Sequence, residues 1–303
     1  MGWKIIDIEN PCLLKSYMNS LVIYNDKRLT IPMNDIDVLL VTENHINMSV
    51  NVINDLINNG VCIILCNQKK LPNSYILGYK IQQQSFINFQ KQMEWTKEYK
   101  KSCWKWILDI KMSNQVNLLH QLNLSTDIYD SDLDLEDNMI EAKLANHFFR
   151  QLYGSKFNRN DNNLINACLN YGYVIITNMV ARSIAKKGLN HNIAFFHGSI
   201  YSPFPLAYDI VEIFRIIIDI FVKALYDRNI ILEKGHFNND IKSCLLDYIA
   251  NFKIEINGKW EFLNNSIDKV IDWLLNNNFS DHSIQFDYSW DFLENEQTYW
   301  TKN

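Results

Sequence analysis

Along the first eighty residues the apolar positions fall into short runs of strand length. Trp3 to Ile8, Leu21 to Tyr24 and Arg28 to Ile31 are such runs, with Asn25-Asp26 as a turn signal between the second and third. Ile36 to Val41 and Val61 to Leu65 are β-branched runs and read the same way. Between these two the period changes: Val50, Val52, Ile53, Leu56 and Ile57 recur at helical spacing within Ser49 to Asn59, and Gly60 supplies a stop. The pattern predicts a small β-rich domain with one helix. The polar stretch Asn67 to Ser74, with Leu71-Pro72 inside it, marks the boundary region, because proline ends regular structure and the period changes beyond it.

From Gln82 onward the spacing is helical. Phe86, Phe89, Met93, Trp95, Cys103, Trp104, Trp106 and Ile107 line one long segment that also carries Lys91, Lys97, Lys100, Lys101 and Lys105. A solvated lysine face over an aromatic core face accounts for it, and a helix tracking DNA phosphates is the functional alternative. Asp127 to Asp137 reads as a solvated acidic loop feeding a helix, Asn138 to Tyr153, that Gly154 ends. The acidic stretch lacks the EF-hand ligand order and its central glycine. The domains are therefore expected at 1–78, β-rich, and 79–303, helical.

Composition narrows this further. Five Pro and nine Gly in 303 residues exclude a turn-dense all-β fold, and 48% apolar with 21% charged residues excludes a disordered chain. The six cysteines are scattered, and Cys62 and Cys66 lack metal-finger spacing, so buried free thiols in a reducing compartment are expected. Asp7 and Glu9 fall where an export signal would need its apolar core, and five charges interrupt the apolar region Leu206 to Leu225. A cytoplasmic protein without membrane association is the expectation. The net charge of −5 argues against nucleic acid until the charges are located. Residues 121–141 hold seven acidic groups and no basic one, whereas 142–230 hold ten basic against five acidic. The basic groups of 81–120 and 142–230, including Lys97, Lys100, Lys101, Lys186 and Lys187, are the expected phosphate track.

On the helix Asn138 to Tyr153, Glu141 shares a face with Ala145, Phe148 and Leu152, so a carboxylate points into apolar surroundings. Such burial is costly unless the charge is paired or holds a metal, and both readings stand. Leu206 to Leu225 is apolar almost throughout except at Asp209, Glu212, Arg215, Asp219 and Lys223. Steps of three or four residues put all five on one stripe of about 120°, which on a buried helix lines an ion-pair seam or a site. Asp209 and Glu212, one turn apart, suit convergence on a cation, while Arg215 and Asp219 suit pairing with each other. His197 precedes Gly198-Ser199 in the loop feeding this helix. Carboxylates with one imidazole suit Mg²⁺ or Mn²⁺, and phosphoryl transfer is the chemistry such sites usually serve. Clustered carboxylates without an ion repel each other, which predicts a strained metal-free site.

Four blocks in order then carry a family resemblance: Glu141-Ala142-Lys143-Leu144-Ala145 with Phe148-Phe149; Asn166-Ala167-Cys168-Leu169-Asn170-Tyr171-Gly172-Tyr173; His197; and Leu206-Ala207-Tyr208-Asp209-Ile210-Val211-Glu212. The chain resembles the CRISPR-associated protein one family, the DNA integrase of CRISPR adaptation, over almost its whole length. Met1-Gly2-Trp3 and Leu71-Pro72 are similar to its short type II members. The resemblance implies an α+β fold, with a small N-terminal β-sandwich-like domain followed by a larger all-helical catalytic domain. It implies that Glu141, His197 and Glu212 hold Mg²⁺ or Mn²⁺, with Asp209 completing the catalytic set by orienting His197 or a water. The implied reaction inserts short DNA fragments, new spacers, into a CRISPR array by attack of a 3′-hydroxyl on a phosphodiester.

The implied partners are a fragment duplex, the CRISPR repeat, a small adaptation protein bridging two dimers, and other type II CRISPR proteins. Dimerisation through the N-terminal domain is expected also because about eighty residues cannot bury all those apolar strands alone. Two departures, the absence of prolines in Ile213-Phe214-Arg215-Ile216 and of an Arg before Glu141, bear on local geometry and substrate preference and not on the ligands. Two rival readings stay open: a nuclease that hydrolyses branched DNA without integrating, and a non-catalytic assembly subunit whose charged stripe is an ion-pair network.

Overall fold

The computed structural model describes residues 4–68, 72–76, 78, 83–129, 138–198, 204–231 and 238–289. Met1 to Trp3, Leu71, Gln82, Ser199 and all of the acidic stretch beyond Tyr129 up to Asp137 lie outside the described residues.

The N-terminal part runs β1 (Lys4–Ile8), β2 (Cys12–Tyr17), β3 (Ser20–Tyr24), β4 (Arg28–Pro32), β5 (Ile36–Val41), β6 (Ile46–Met48), α1 (Val50–Asn58), β7 (Cys62–Cys66) and β8 (Pro72–Ile76). It forms two four-stranded sheets, β1-β5-β7-β8 and β4-β3-β2-β6. In the first, β1, β5 and β7 are parallel and β8 returns antiparallel, with Pro72 at its first position, where a missing N–H is tolerated. From Pro72 onward the chain still belongs to this sheet, since β8 pairs with β7.

Every residue of β5 is buried because both of its faces are covered. Leu39 and Val41 join Leu14, Leu21, Ile63 and Leu56 in a small core between the sheets and α1. Val38, Leu40, Cys62 and Ile64 face the other way and belong to the large core of the helical part. Asp37, fully buried at this junction, is gripped by Arg182 and by Asn264.

The C-terminal part holds α2 (Gln83–Met93), α3 (Lys97–Gln121), α4 (Asn138–Tyr153), α5 (Leu164–Lys186), α6 (Pro205–Val211), α7 (Ile216–Asp227), α8 (Asn239–Asn251) and α9 (Leu263–Asn276). The aromatic segment predicted as one helix is two. The first ends at Met93, and Thr96 caps the second, its hydroxyl accepting from the Tyr99 N–H. α5 is the central helix; it is long and apolar enough to cross a membrane by length and composition, and its apolar side chains fill the core. A Cβ on Gly172 would sit 2.7 Å from Ile218 Cγ2, so the close approach of α5 and α7 depends on glycine.

The helical domain also carries a feature that helical periodicity did not predict. β9 (Lys253–Ile256), β10 (Lys259–Phe262) and β11 (Ile284–Phe286) make a small antiparallel sheet ordered β10-β9-β11. Ile254, Ile256 and Phe286 pack it into the large core. All six cysteines are free thiols, five of them buried and Cys66 half-buried.

Candidate functional site

The apolar stretch from Leu206 to Leu225 is not one helix. Pro205 starts α6, and at its end the backbone tightens into i→i+3 bonds, Ile213 N–H to the Ile210 carbonyl at 3.3 Å and Phe214 N–H to the Val211 carbonyl at 2.8 Å, before α7 begins. The charged stripe is therefore bent at Glu212, and its members find partners from other elements.

Asp209 is fully buried and turned onto the loop before α6. Its Oδ2 accepts from the backbone N–H groups of Phe195 (2.6 Å) and Phe196 (2.9 Å). Its Oδ1 accepts from the His197 N–H (3.0 Å) and from His197 Nδ1 (2.7 Å). A carboxylate only accepts, so Nδ1 carries the proton and Nε2 is the nitrogen left for a ligand. Asp209 does not converge with Glu212 on a cation; it positions His197. The hydrogen bond to Asp209 raises the His197 pKa against the opposing effect of burial, and the charges of Glu212 and Glu141 add to the rise. Trp104 on α3 supports the loop, stacked on Phe196 at 4.7 Å and edge-on to His197 at 5.3 Å.

Glu212 is buried between two cations. Arg215 Nη1 lies 2.6 Å from its Oε1, and Lys111 Nζ lies 2.8 Å from its Oε2. The same ammonium reaches Oε1 of Glu141, on α4, at 2.6 Å. Burial would push the Glu212 carboxyl up, but the adjacent Arg215 and Lys111 outweigh it and hold the pKa down at about 2. The expected repulsion between metal-free carboxylates is offset, because Lys111 lies between the two and Arg215 adds a second positive charge. Arg215 and Asp219 do not form the predicted hydrogen-bonded pair. Arg215 bonds Glu212 and lies over the Tyr173 ring at 4.2 Å, while the Tyr173 hydroxyl donates to Asp219. Burial raises the Asp219 pKa to about 6 against the opposing pull of Tyr173 and Arg215.

Of Glu141, His197 and Glu212, predicted as a set, α4 and the turn after α6 bring the two glutamates onto one ammonium, and His197 stands on the loop before α6. His197 and Glu212 line a surface cleft of about 670 Å³ with Arg159, Asn170, Tyr208 and Arg215. Two carboxylates and a free imidazole nitrogen are a donor set that fits Mg²⁺ or Mn²⁺. Among the described residues no three His, Cys, Asp or Glu side chains close to form a metal cluster; the two glutamates close on the Lys111 ammonium instead.

Of the predicted phosphate track, Lys186 and Lys187 are engaged, with Asp268 (2.9 Å) and Asp272 (2.6 Å). Lys143, His147 and Arg150 line an open groove of about 530 Å³ on the outer face of α4. The helical pattern missed Lys111, although a signal was present. Lys111 follows Trp104, Ile107 and Leu108 by seven, four and three residues, which sets a lysine on the core face of α3.

A family model described as CRISPR associated protein Cas1 matches residues 8–147 and 140–254. The chain belongs to the Cas1 family. It is 27% identical over 282 residues to a CRISPR-associated endonuclease Cas1 from Neisseria meningitidis serogroup C, covering 89% of this chain and 90% of that one. Among solved structures it is similar to a Cas1 protein from Thermotoga maritima, with TM-score 0.73, 15% identity and coverage of 91% and 97%. A casposase bound to its integration product matches with TM-score 0.74, 18% identity and coverage of 95% and 93%. A chain of a Cas6-RT-Cas1–Cas2 complex matches with TM-score 0.67 and 13% identity over 92% of this chain and 35% of that chain. These structures share the Cas1 two-domain fold, a mixed β-sheet domain followed by a larger helical one.

Proposed function

We propose that this Cas1 chain is a metal-dependent DNA integrase that inserts short fragments into a CRISPR array, the 3′-hydroxyl of the fragment displacing a strand of the repeat at a phosphodiester. The observation that carries the reading is that Glu141 and Glu212 meet on one ammonium, while Glu212 and His197, from separate elements, line a cleft also lined by Arg159 and Arg215. Glu141, His197 and Glu212 would hold Mg²⁺ or Mn²⁺, which when bound supplies positive charge to the phosphoryl oxygens and assists loss of the hydroxyl proton. Asp209 fixes the ring and tautomer of His197, and Arg215 keeps Glu212 ionised and oriented. Arg159, Asn170 and Tyr208 offer donors to the DNA strand along the cleft.

The N-terminal domain would join two chains. Leu13, Tyr17 and Tyr24 share the outward face of the second sheet and are exposed there. A small partner protein would bridge two such dimers; that Cas2 occurs with Cas1 in one matched structure supports the partner. Light scattering of a dimer at micromolar concentration is the expected result. The deciding assay is joining of a labelled duplex to a repeat-containing plasmid, with and without Mn²⁺ and the small partner. A fragment with a blocked 3′-end abolishes joining, whereas a nuclease acting on branched DNA keeps its activity with it.

The Lys111–Glu212–Arg215 contacts favour a second reading, an ion-pair network in a non-catalytic subunit. It requires that Mn²⁺ change neither stability nor DNA joining.

A further inference from the structure

Lys111 stands apart from the lysines that solvate the surface of α3. Only 9% exposed, it sits on the core-facing side among Trp104, Ile107, Leu108 and Leu118. Its ammonium contacts one oxygen of Glu141 at 2.6 Å and one of Glu212 at 2.8 Å. These are two of the three groups assigned above to the metal. The contact to Glu212 Oε2 is an ion pair without hydrogen-bond geometry, so that oxygen keeps an unused acceptor site. A small cavity of about 50 Å³, lined by Lys111, Asn114, Tyr173, Glu212 and Asp219, lies alongside. It gives a withdrawing ammonium an anionic neighbour in Asp219.

We propose that Lys111 is an internal counter-ion that holds Glu141 and Glu212 together in the metal-free protein, and that divalent-metal binding is an exchange in which its ammonium leaves the two carboxylates. The proposal rests on the metal-site reading given above. The two negative charges of Glu141 and Glu212 are balanced without metal by Lys111 and Arg215 together. A divalent cation added beside the ammonium would leave the site in excess positive charge, so one cation yields to the other. A lysine suits the task because its point charge rides on a flexible four-carbon stem that can move without disturbing α3. The cost of breaking both contacts is subtracted from the intrinsic affinity for metal. Lys111 thereby sets the metal concentration at which the site loads and spares the empty site the repulsion of unpaired carboxylates.

The test compares wild type, Lys111→Met, Lys111→Arg and Glu212→Gln as full chains, with free Mn²⁺ read by electron paramagnetic resonance and melting followed with chelator or Mn²⁺. Lys111→Met removes the charge and keeps the stem. It is expected to melt below wild type in chelator, to gain more from Mn²⁺ than wild type does, and to bind Mn²⁺ about tenfold more tightly. Lys111→Arg keeps the competing charge and is expected to bind no more tightly than wild type. If Lys111→Met is unfolded in chelator, recovery of its melting transition on adding Mn²⁺ supports the exchange, and failure to recover overturns it. Binding by Lys111→Met that is equal to or weaker than wild type also overturns the exchange, while the metal site itself stands if wild type binds Mn²⁺ and Glu212→Gln does not. Absence of Mn²⁺ binding by wild type removes both proposals.

Discussion

Asp209→Asn isolates the positioning of His197. The substitution keeps shape and removes a charge that receives four hydrogen bonds, two at each oxygen. Whichever way the amide is turned, its NH₂ faces either the N–H groups of Phe195 and Phe196 or the N–H and Nδ1 of His197. The first orientation leaves two donors facing donors and the second leaves one, because His197 can move its proton to Nε2 and accept at Nδ1; at about 1–3 kcal/mol each, the variant should lose about 1–6 kcal/mol. At roughly 2–4 °C per kcal/mol, its melting temperature in chelator should fall by at least about 2 °C.

The His197 titration moves as well. Its folded pKa is raised chiefly by Asp209, so the stability this pair contributes is fully present below the ordinary histidine value of 6.5 and is lost as pH rises through the raised value. In Asp209→Asn that pH-dependent part disappears, and the imidazole resonance in a nuclear magnetic resonance titration shifts its midpoint downward. DNA joining should fall at least tenfold, because Nε2 is no longer guaranteed to be the unprotonated nitrogen. An unchanged His197 midpoint with a melting temperature within about 1 °C of wild type would refute the reasoning.

Four further outcomes follow from other parts of the structure. Glu212→Gln, which removes the charge facing Arg215 and leaves Lys111 with Glu141 alone, should lower stability in chelator by about 3 kcal/mol and abolish the Mn²⁺ response in thermal melts; the part lost is present above pH 4.5 and fades as pH falls toward about 2. Asp219→Asn should change the pH profile in the opposite sense: wild type loses stability relative to the variant as pH rises from 3.8 to about 6, measured by urea titration at several pH values. Gly172→Ala should cost about 1–3 kcal/mol by forcing a methyl against Ile218, and a stable variant would mean that α5 and α7 separate freely. Neutralising Lys143 and Arg150 should weaken duplex binding and reduce the salt slope by about 2, whereas neutralising Lys186 and Lys187, already engaged with aspartates, should leave the slope unchanged.

Local pattern determined the elements whose identity depends on their own residues. The β-branched runs of β5 and β7, the helix α1 closed by Gly60, and α4 with Glu141 among Phe148 and Leu152 were all legible, because side-chain period reports which face is buried. Elements whose pairing comes from elsewhere were not. β6 is three residues long, β8 begins on a proline, and β9 to β11 are short strands in a helical half, so each exists only because a neighbouring strand receives it.

The candidate site divides in the same way. Sequence named Glu141, His197, Glu212 and Asp209, since buried carboxylates and an imidazole in apolar elements call for a partner. Only the tertiary structure decided which partner each one takes. It gave Asp209 to the His197 loop, Arg215 to Glu212, and Tyr173 to Asp219, and it brought Lys111 across from α3 to the two glutamates. A charge–charge contact depends on distance through space at a few ångströms, and helical spacing constrains that distance only within one straight helix. Where the chain tightens at Glu212 and separate helices meet, the pairing is decided by packing.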